Sequence, residues 1–176
     1  SSGTAMRRAG ARRLRIAVPE ESVSFTDGHL GHFSQNLARE CGDFILRRSD
    51  GIYAYQLAVA VDDARMGVTQ VVRGRDLLSS TPRQLYLYRL LDLPAPAFFH
   101  VPLLLTHDGR RLSKRNADAG LDDLQGRYTA AEILGKLAYL GGFNPGAGPR
   151  TAEALLEDFA WDKVPAADIP IPEGLF

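Results

Sequence analysis

Cysteine is nearly missing from this sequence: Cys41 stands alone among 176 residues. A single thiol builds neither a disulfide framework nor a Cys-rich zinc site, so both kinds of small stapled scaffold are excluded. Long hydrophobic runs are also missing, and so is a leader of the secretory type. The expectation is a soluble, cytoplasmic protein with no membrane partner. Net charge is lacking as well, because 21 Lys and Arg balance 21 Asp and Glu. Bulk charge therefore announces no nucleic-acid partner, and any such contact has to come from a local patch. What is present is ordinary: 45% of the residues are hydrophobic, enough for a sizeable core in one domain or slightly more.

The charge is unevenly placed. Five arginines fall between Arg7 and Arg15 with no acid among them. They read as a solvated basic edge in front of a strand, with phosphate contact as the sharper alternative. From Arg150 to Phe176, six acids face only Arg150 and Lys163.

Periodicity and punctuation predict mixed α/β structure up to about Asp118 and helices only beyond it. Leu14 to Val18 and Val23 to Phe25 read as strands, and Gly28, His29, Gly31 and His32 as a loop. Two histidines three apart could share a metal on a helical turn, with Asp27 adding an oxygen. The flanking glycines oppose a helix and no fourth ligand is evident, so no metal is assigned. Phe44 to Arg48 and Ile52 to Tyr55 flank Asp50-Gly51, which predicts a hairpin carrying Tyr53 and Tyr55. Gln56 to Arg65 is expected as a helix ending near Met66-Gly67, and Val68 to Arg73 as a buried strand. Thr81-Pro82-Arg83-Gln84 predicts a capping box, and Leu87, Leu90 and Leu91 mark one apolar face. His100 to Leu105 reads as a strand and Thr106 to Arg115 as a polar loop. A second capping box, Thr129 with Glu132, opens a helix that stops at Gly141-Gly142. A third helix begins at Thr151. Asp62 and Asp63 are adjacent on a helix, so their carboxylates diverge and read as structural. Cys41, Phe98, Phe99 and Leu103 to Leu105 read as packing residues.

Three stretches carry a resemblance. The first runs from Gly42 through Arg47-Arg48-Ser49-Asp50-Gly51-Ile52-Tyr53-Ala54-Tyr55 to Ala58. The second runs from Val61-Asp62-Asp63 through Val72-Arg73-Gly74-Arg75-Asp76-Leu77-Leu78-Ser79-Ser80-Thr81-Pro82 to Gln84. The third is Arg111-Leu112-Ser113-Lys114-Arg115. In this order and spacing they resemble the glutamyl-tRNA synthetase group of class I aminoacyl-tRNA synthetases. The likeness is greater to its small paralogous family, the glutamyl-Q tRNA(Asp) synthetases. The resemblance spans roughly Leu14 to Pro165. It implies an α/β fold: the second half of a class I Rossmann-like catalytic domain (residues 1–119), then a small helical stem-contact-like region (residues 120–176). The Trp161-Asp162-Lys163-Val164-Pro165 ending also fits the paralogous family.

The implied reaction is activation of glutamate by ATP with magnesium, followed by transfer of glutamate to the queuosine base of tRNA(Asp). The resemblance makes Lys114 the catalytic residue and Arg111, Ser113 and Lys114 the ATP-binding loop. Positive charge there would meet the charge that spreads over the phosphates in the transition state. Lys114 offers a compact ammonium on a flexible stem. Asp108-Gly109 is expected to let the loop close over ATP. Tyr55 and Arg73 fall at the glutamate-recognition positions. A guanidinium grips a carboxylate with two donors, and a tyrosine supplies a hydroxyl and an aromatic wall. Asp76 reads equally as a ribose-facing acid or a helix-start acid.

The family's HIGH-type motif, its amino-acid-gripping arginine and its cysteine-rich zinc site are not found in this sequence. The resemblance is therefore to the later portion of such an enzyme, a monomer if complete. Two other readings stay open: part of a glutamyl-tRNA synthetase charging tRNA(Glu), and a non-catalytic module that binds RNA or a partner. The residues predict that the 176-residue chain by itself catalyses no glutamate-dependent ATP–pyrophosphate exchange. Exchange above background by the purified chain would refute this.

Overall fold

A computed structural model describes residues 12–112 and 120–176. The chain divides into two compact units. One takes the described residues up to Val71 with Leu77–Phe99; the other takes Val72–Asp76 with the described residues from His100 to Phe176. Compactness is a different criterion from the division by role expected after residue 119, whose boundary falls beside undescribed residues.

In the first unit, β1 (Leu14–Ile16) pairs antiparallel with β4 (Phe44–Arg47). The hairpin β2 (Ser22–Asp27) and β3 (Gly31–Asn36) pairs Val23 with Gln35 and Phe25 with Phe33. A four-residue helix α1 (Leu37–Glu40) follows, capped by the Asn36 side chain, which accepts from the Arg39 amide. Helices α2 (Tyr55–Arg65) and α3 (Thr81–Leu90) complete the unit. The core is built where they meet: Ala60 from α2, Leu87 and Tyr88 from α3, and Phe98 are all buried. Phe25 meets Phe98 edge-on at 6.2 Å between ring centres. Each large apolar side chain buried here contributes roughly 1.5–3 kcal/mol.

The chain crosses between units on β5 (Gln70–Gly74) and β6 (Ala97–Val101), which pair with each other. In the second unit, β7 (Leu104–Leu105) pairs in parallel with β8 (Ile169–Pro170). Helices α4 (Leu121–Gln125), α5 (Ala130–Leu140) and α6 (Ala152–Asp158) lie between them in sequence. The Thr129–Glu132 capping box forms: the Glu132 amide donates to Thr129 Oγ1, and the Glu132 carboxylate accepts from the Thr129 amide at 2.8 Å. Gly142 sits at φ 81°, as the helix stop requires. Thr151 caps α6 as expected.

Five expectations need correction. Gly31 and His32 lie in strand β3, not in a loop: the turn takes only Gly28 to Leu30, and the ladder resumes at once with Gly31, at φ 79°, opposite Asp27. The lone apolar residue Phe33 gave β3 too weak an alternation to see. Tyr55 opens helix α2 and does not end a hairpin strand; the hairpin is one bridge, Arg47 with Tyr53, around Gly51. The capping box at Thr81 does not form. A 3-10 segment (Arg75–Ser80) runs directly into α3, so the first-turn amides are already inside helical backbone, and the Gln84 amide donates to Gln56 instead. Pro102, which lacks a donor, divides the expected His100–Leu105 strand into β6 and β7. The region after residue 118 is not all helical, since β8 adds a strand to β7.

The glycine-rich link after α5 is packed and not merely spanning. The Arg150 amide donates to Ala131 O at 2.9 Å, and the Asn144 side-chain amide donates to Gly135 O at 3.3 Å. A Cβ at position 135 would lie 1.8 Å from the backbone oxygen of Gly148. Gly135→Ala gains about 1 kcal/mol of helix propensity. It should nevertheless destabilise the chain by about 1–3 kcal/mol, because the facing atom is backbone and cannot step aside. A thermal or urea melt measures it, and an unchanged or raised midpoint counts against the close approach.

Candidate active site at the end of strand β5

Arg73 lies one residue before the end of β5, half-buried. Its Nε donates to Nε2 of His100 on β6, at 3.0 Å. His100 is fully buried, with 0% of its surface exposed. Sequence reading placed His100 only at the start of a strand. The available signal was a lone polar ring in the apolar run Phe98-Phe99-His100-Val101, since a buried polar group demands a partner.

Gly74 follows, and its missing side chain matters. A Cβ there would meet Asp76 Oδ1 at 2.7 Å and Leu103 Cδ2 at 3.0 Å. Asp76 instead occupies that space, and its Oδ2 accepts from the Arg111 guanidinium at 2.6 Å. Arg75, between them, donates to Ala166 O at 2.8 Å and stands 3.7 Å from Asp168, whose carboxylate accepts from the Leu103 amide. Asp76 thus sits in the first turn of the 3-10 segment and also pairs with the root of the loop.

That root is a closed turn. Thr106 N donates to Arg110 O at 2.7 Å, Gly109 N donates to Thr106 O at 2.9 Å, and Leu105 bridges to Arg111. The Thr106 hydroxyl bonds the Asp108 carboxylate. This bond holds the Asp108 pKa below the usual carboxylate value; desolvation opposes it, and the nearby Arg110 charge adds to the lowering. Gly109, at φ 79°, serves a hydrogen-bonded turn at the root of the loop. An apolar cleft of about 290 Å³ flanks this root, lined among others by Leu104, Leu112 and Ile171.

Of the residues expected at the site, Arg73 and Arg111 fall in the second unit and Tyr55 in the first. Tyr55 opens α2 with 56% of its surface exposed. Ser113 and Lys114 lie outside the described residues. Asp27 Oδ1 accepts from the His29 and Leu30 amides, which closes the β2–β3 turn. Among the described residues no group of three His, Cys, Asp or Glu side chains could hold a metal ion, and no helix is long and apolar enough to cross a membrane.

Comparison with known proteins shows the family. Residues 4–147 match the family described as tRNA synthetases class I (E and Q), catalytic domain. The chain belongs to this family of class I aminoacyl-tRNA synthetases. Among curated relatives, the glutamyl-Q tRNA(Asp) synthetase of Symbiobacterium thermophilum is 46% identical over 162 residues, covering 90% of this chain and 49% of that protein. Its namesake in Neisseria meningitidis serogroup B is 54% identical over 108 residues, covering 61% of this chain and 37% of the other. That of Ectopseudomonas mendocina is 58% identical over 101 residues, covering 57% and 34%. The chain thus spans about half, or less, of the length of these relatives. A glutamate tRNA ligase from Elizabethkingia meningosepticum, solved with its amino acid, superposes with a TM-score of 0.74 at 24% identity, over 89% of this chain and 35% of that one. The glutamate-tRNA synthetase of Elizabethkingia anophelis gives 0.75 at 24% identity, over 90% and 36%. The α/β class I fold expected from the sequence is the fold of these enzymes.

The Asp76–Arg111 pair leaves 64% of the arginine side chain exposed. Asp76→Ala should therefore change stability by less than about 1 kcal/mol. A thermal melt measures it, and a substantially larger loss would contradict an exposed, screened pair.

Proposed function

We propose that this chain supplies the ATP-loop side and part of the glutamate side of a synthetase active site. The protein carrying it activates glutamate with ATP, releases pyrophosphate, and passes glutamate to the queuosine base of tRNA(Asp). The observation that carries this reading is Arg73: a guanidinium at a strand end, backed by a buried histidine, in a chain of this family. Strand ends are where α/β sheets hold their ligands, and a guanidinium matches a carboxylate with two donors.

In this reading Tyr55 and Arg73 bind glutamate. Arg111, Ser113 and Lys114 bind ATP, and Lys114 is the catalytic charge. As pyrophosphate leaves, negative charge grows on the phosphoryl oxygens, and a fixed cation there lowers the barrier. Magnesium would enter with the ATP phosphates, the usual mode for this ion, and would supply further positive charge there. Residues 120–176 would contact the tRNA stem. The acceptor assignment rests on the names of the curated relatives, all glutamyl-Q tRNA(Asp) synthetases at 46–58% identity.

The deciding experiment incubates the protein carrying this chain with radiolabelled glutamate and ATP. Three acceptors are compared: queuosine-containing tRNA(Asp), the same tRNA without queuosine, and tRNA(Glu). Label should enter only the first. Label entering tRNA(Glu) would overturn the assignment in favour of ordinary glutamyl-tRNA synthesis.

A further inference from the structure

We infer that His100 is the positioning residue that aims Arg73, and that by accepting from Nε it closes that edge of the guanidinium to a ligand. The inference rests on the proposed glutamate role of Arg73, but its geometry is independent of that role.

Arginine stays protonated in proteins, so its Nε always carries a hydrogen and can only donate. His100 Nε2, 3.0 Å away, must then present a lone pair. Its proton therefore sits on Nδ1, and the ring is neutral in this arrangement. A protonated His100 would set an N–H against an N–H and a cation against a cation. With the ring wholly buried, bulk water has no access to replace it as acceptor. Breaking the bond would leave a donor of a charged group unsatisfied, which costs more than an ordinary hydrogen bond.

The consequence for recognition is geometric. A guanidinium can hold a carboxylate side-on, through Nε and one terminal nitrogen, or end-on, through both terminal nitrogens. His100 occupies the Nε edge, so the side-on mode is closed. A lysine at position 73 would have neither the edge for His100 nor the fork for the ligand. The segment also resists displacement, because Gly74 and Asp76 behind Arg73 are closely packed.

Two measurements test this. Long-range nitrogen–proton correlation spectra of the 15N-labelled chain at neutral pH should assign His100 to the Nδ1-protonated tautomer. An Nε2-protonated or doubly protonated ring overturns the pairing. In the protein carrying the chain, His100→Leu should raise the KM for glutamate by about tenfold or more and leave the KM for ATP within about twofold. His100→Gln, whose amide oxygen replaces the acceptor, should recover most of the loss. A leucine variant with the parental glutamate KM, or a glutamine variant as impaired as the leucine one, overturns the positioning role. A melt of each variant separates this effect from misfolding, and the tautomer of the unmutated chain decides the pairing if the leucine variant does not fold. If the unmutated protein activates no glutamate, the proposed function falls, and the tautomer alone decides the Arg73–His100 assignment.

Discussion

Where the backbone leaves β5, four consecutive residues point to four different tasks, and a bare glycine makes this possible. Arg73 bonds the buried His100, Gly74 leaves the space that Asp76 fills, Arg75 reaches Ala166 and Asp168, and Asp76 takes Arg111. The end of one strand is thereby tied to β6, to the loop root and to the C-terminal stretch. These ties are unequal. The Arg75 and Arg111 pairs are partly exposed, and each is worth at most about 1 kcal/mol. The Arg73–His100 bond has one fully buried partner, so losing it leaves a charged donor wanting an acceptor. It is the one of these ties with a wholly buried partner.

The C-terminal stretch belongs to the same construction. Ile169 N donates to Leu103 O and Ile171 N to Leu105 O, both at 2.9 Å, which fastens β8 beside β7. Asp168 then accepts from the Leu103 amide. Further along, Lys136 on α5 donates to Leu175 O at 2.6 Å and stacks over Tyr128 at 4.7 Å and Phe176 at 5.8 Å. A segment that reads in sequence as a proline-punctuated tail therefore braces strand β7, which leads into the turn from Thr106 to Arg110. That brace gives the acidic end of the chain a structural purpose, with Asp168 placed beside Arg75.

Legibility followed the range of the interaction that made each element. Helices α2, α5 and α6 were readable because their signals are local: Gly67 and Gly142 as stops, Thr129 and Thr151 as caps. Strand β3 was hidden, since its pairing with β2 is decided by a turn and by Phe25 across the ladder, not by its own composition. The Thr81 cap was misread because a helical segment before it cannot be seen in the Ser79-Ser80-Thr81-Pro82 pattern. Strand β8 was unreadable for the same reason in stronger form, being two residues long and existing only through pairing with a strand about 65 residues away.

The sequence by itself determined the family and the α/β class of the fold. These reside in local motifs, from Tyr55 through Arg73 to the loop beginning at Arg111, whose order and spacing are properties of the chain alone. Tertiary structure alone decided that His100 stands against Arg73, that Asp76 pairs with Arg111 and not only with a helix start, and that the tail supports the loop root. Each of these joins residues 27 or more positions apart. Such partners are selected by how strands β5, β6 and β7 are brought together and by which polar groups burial obliges to pair, and neither is written in spacing.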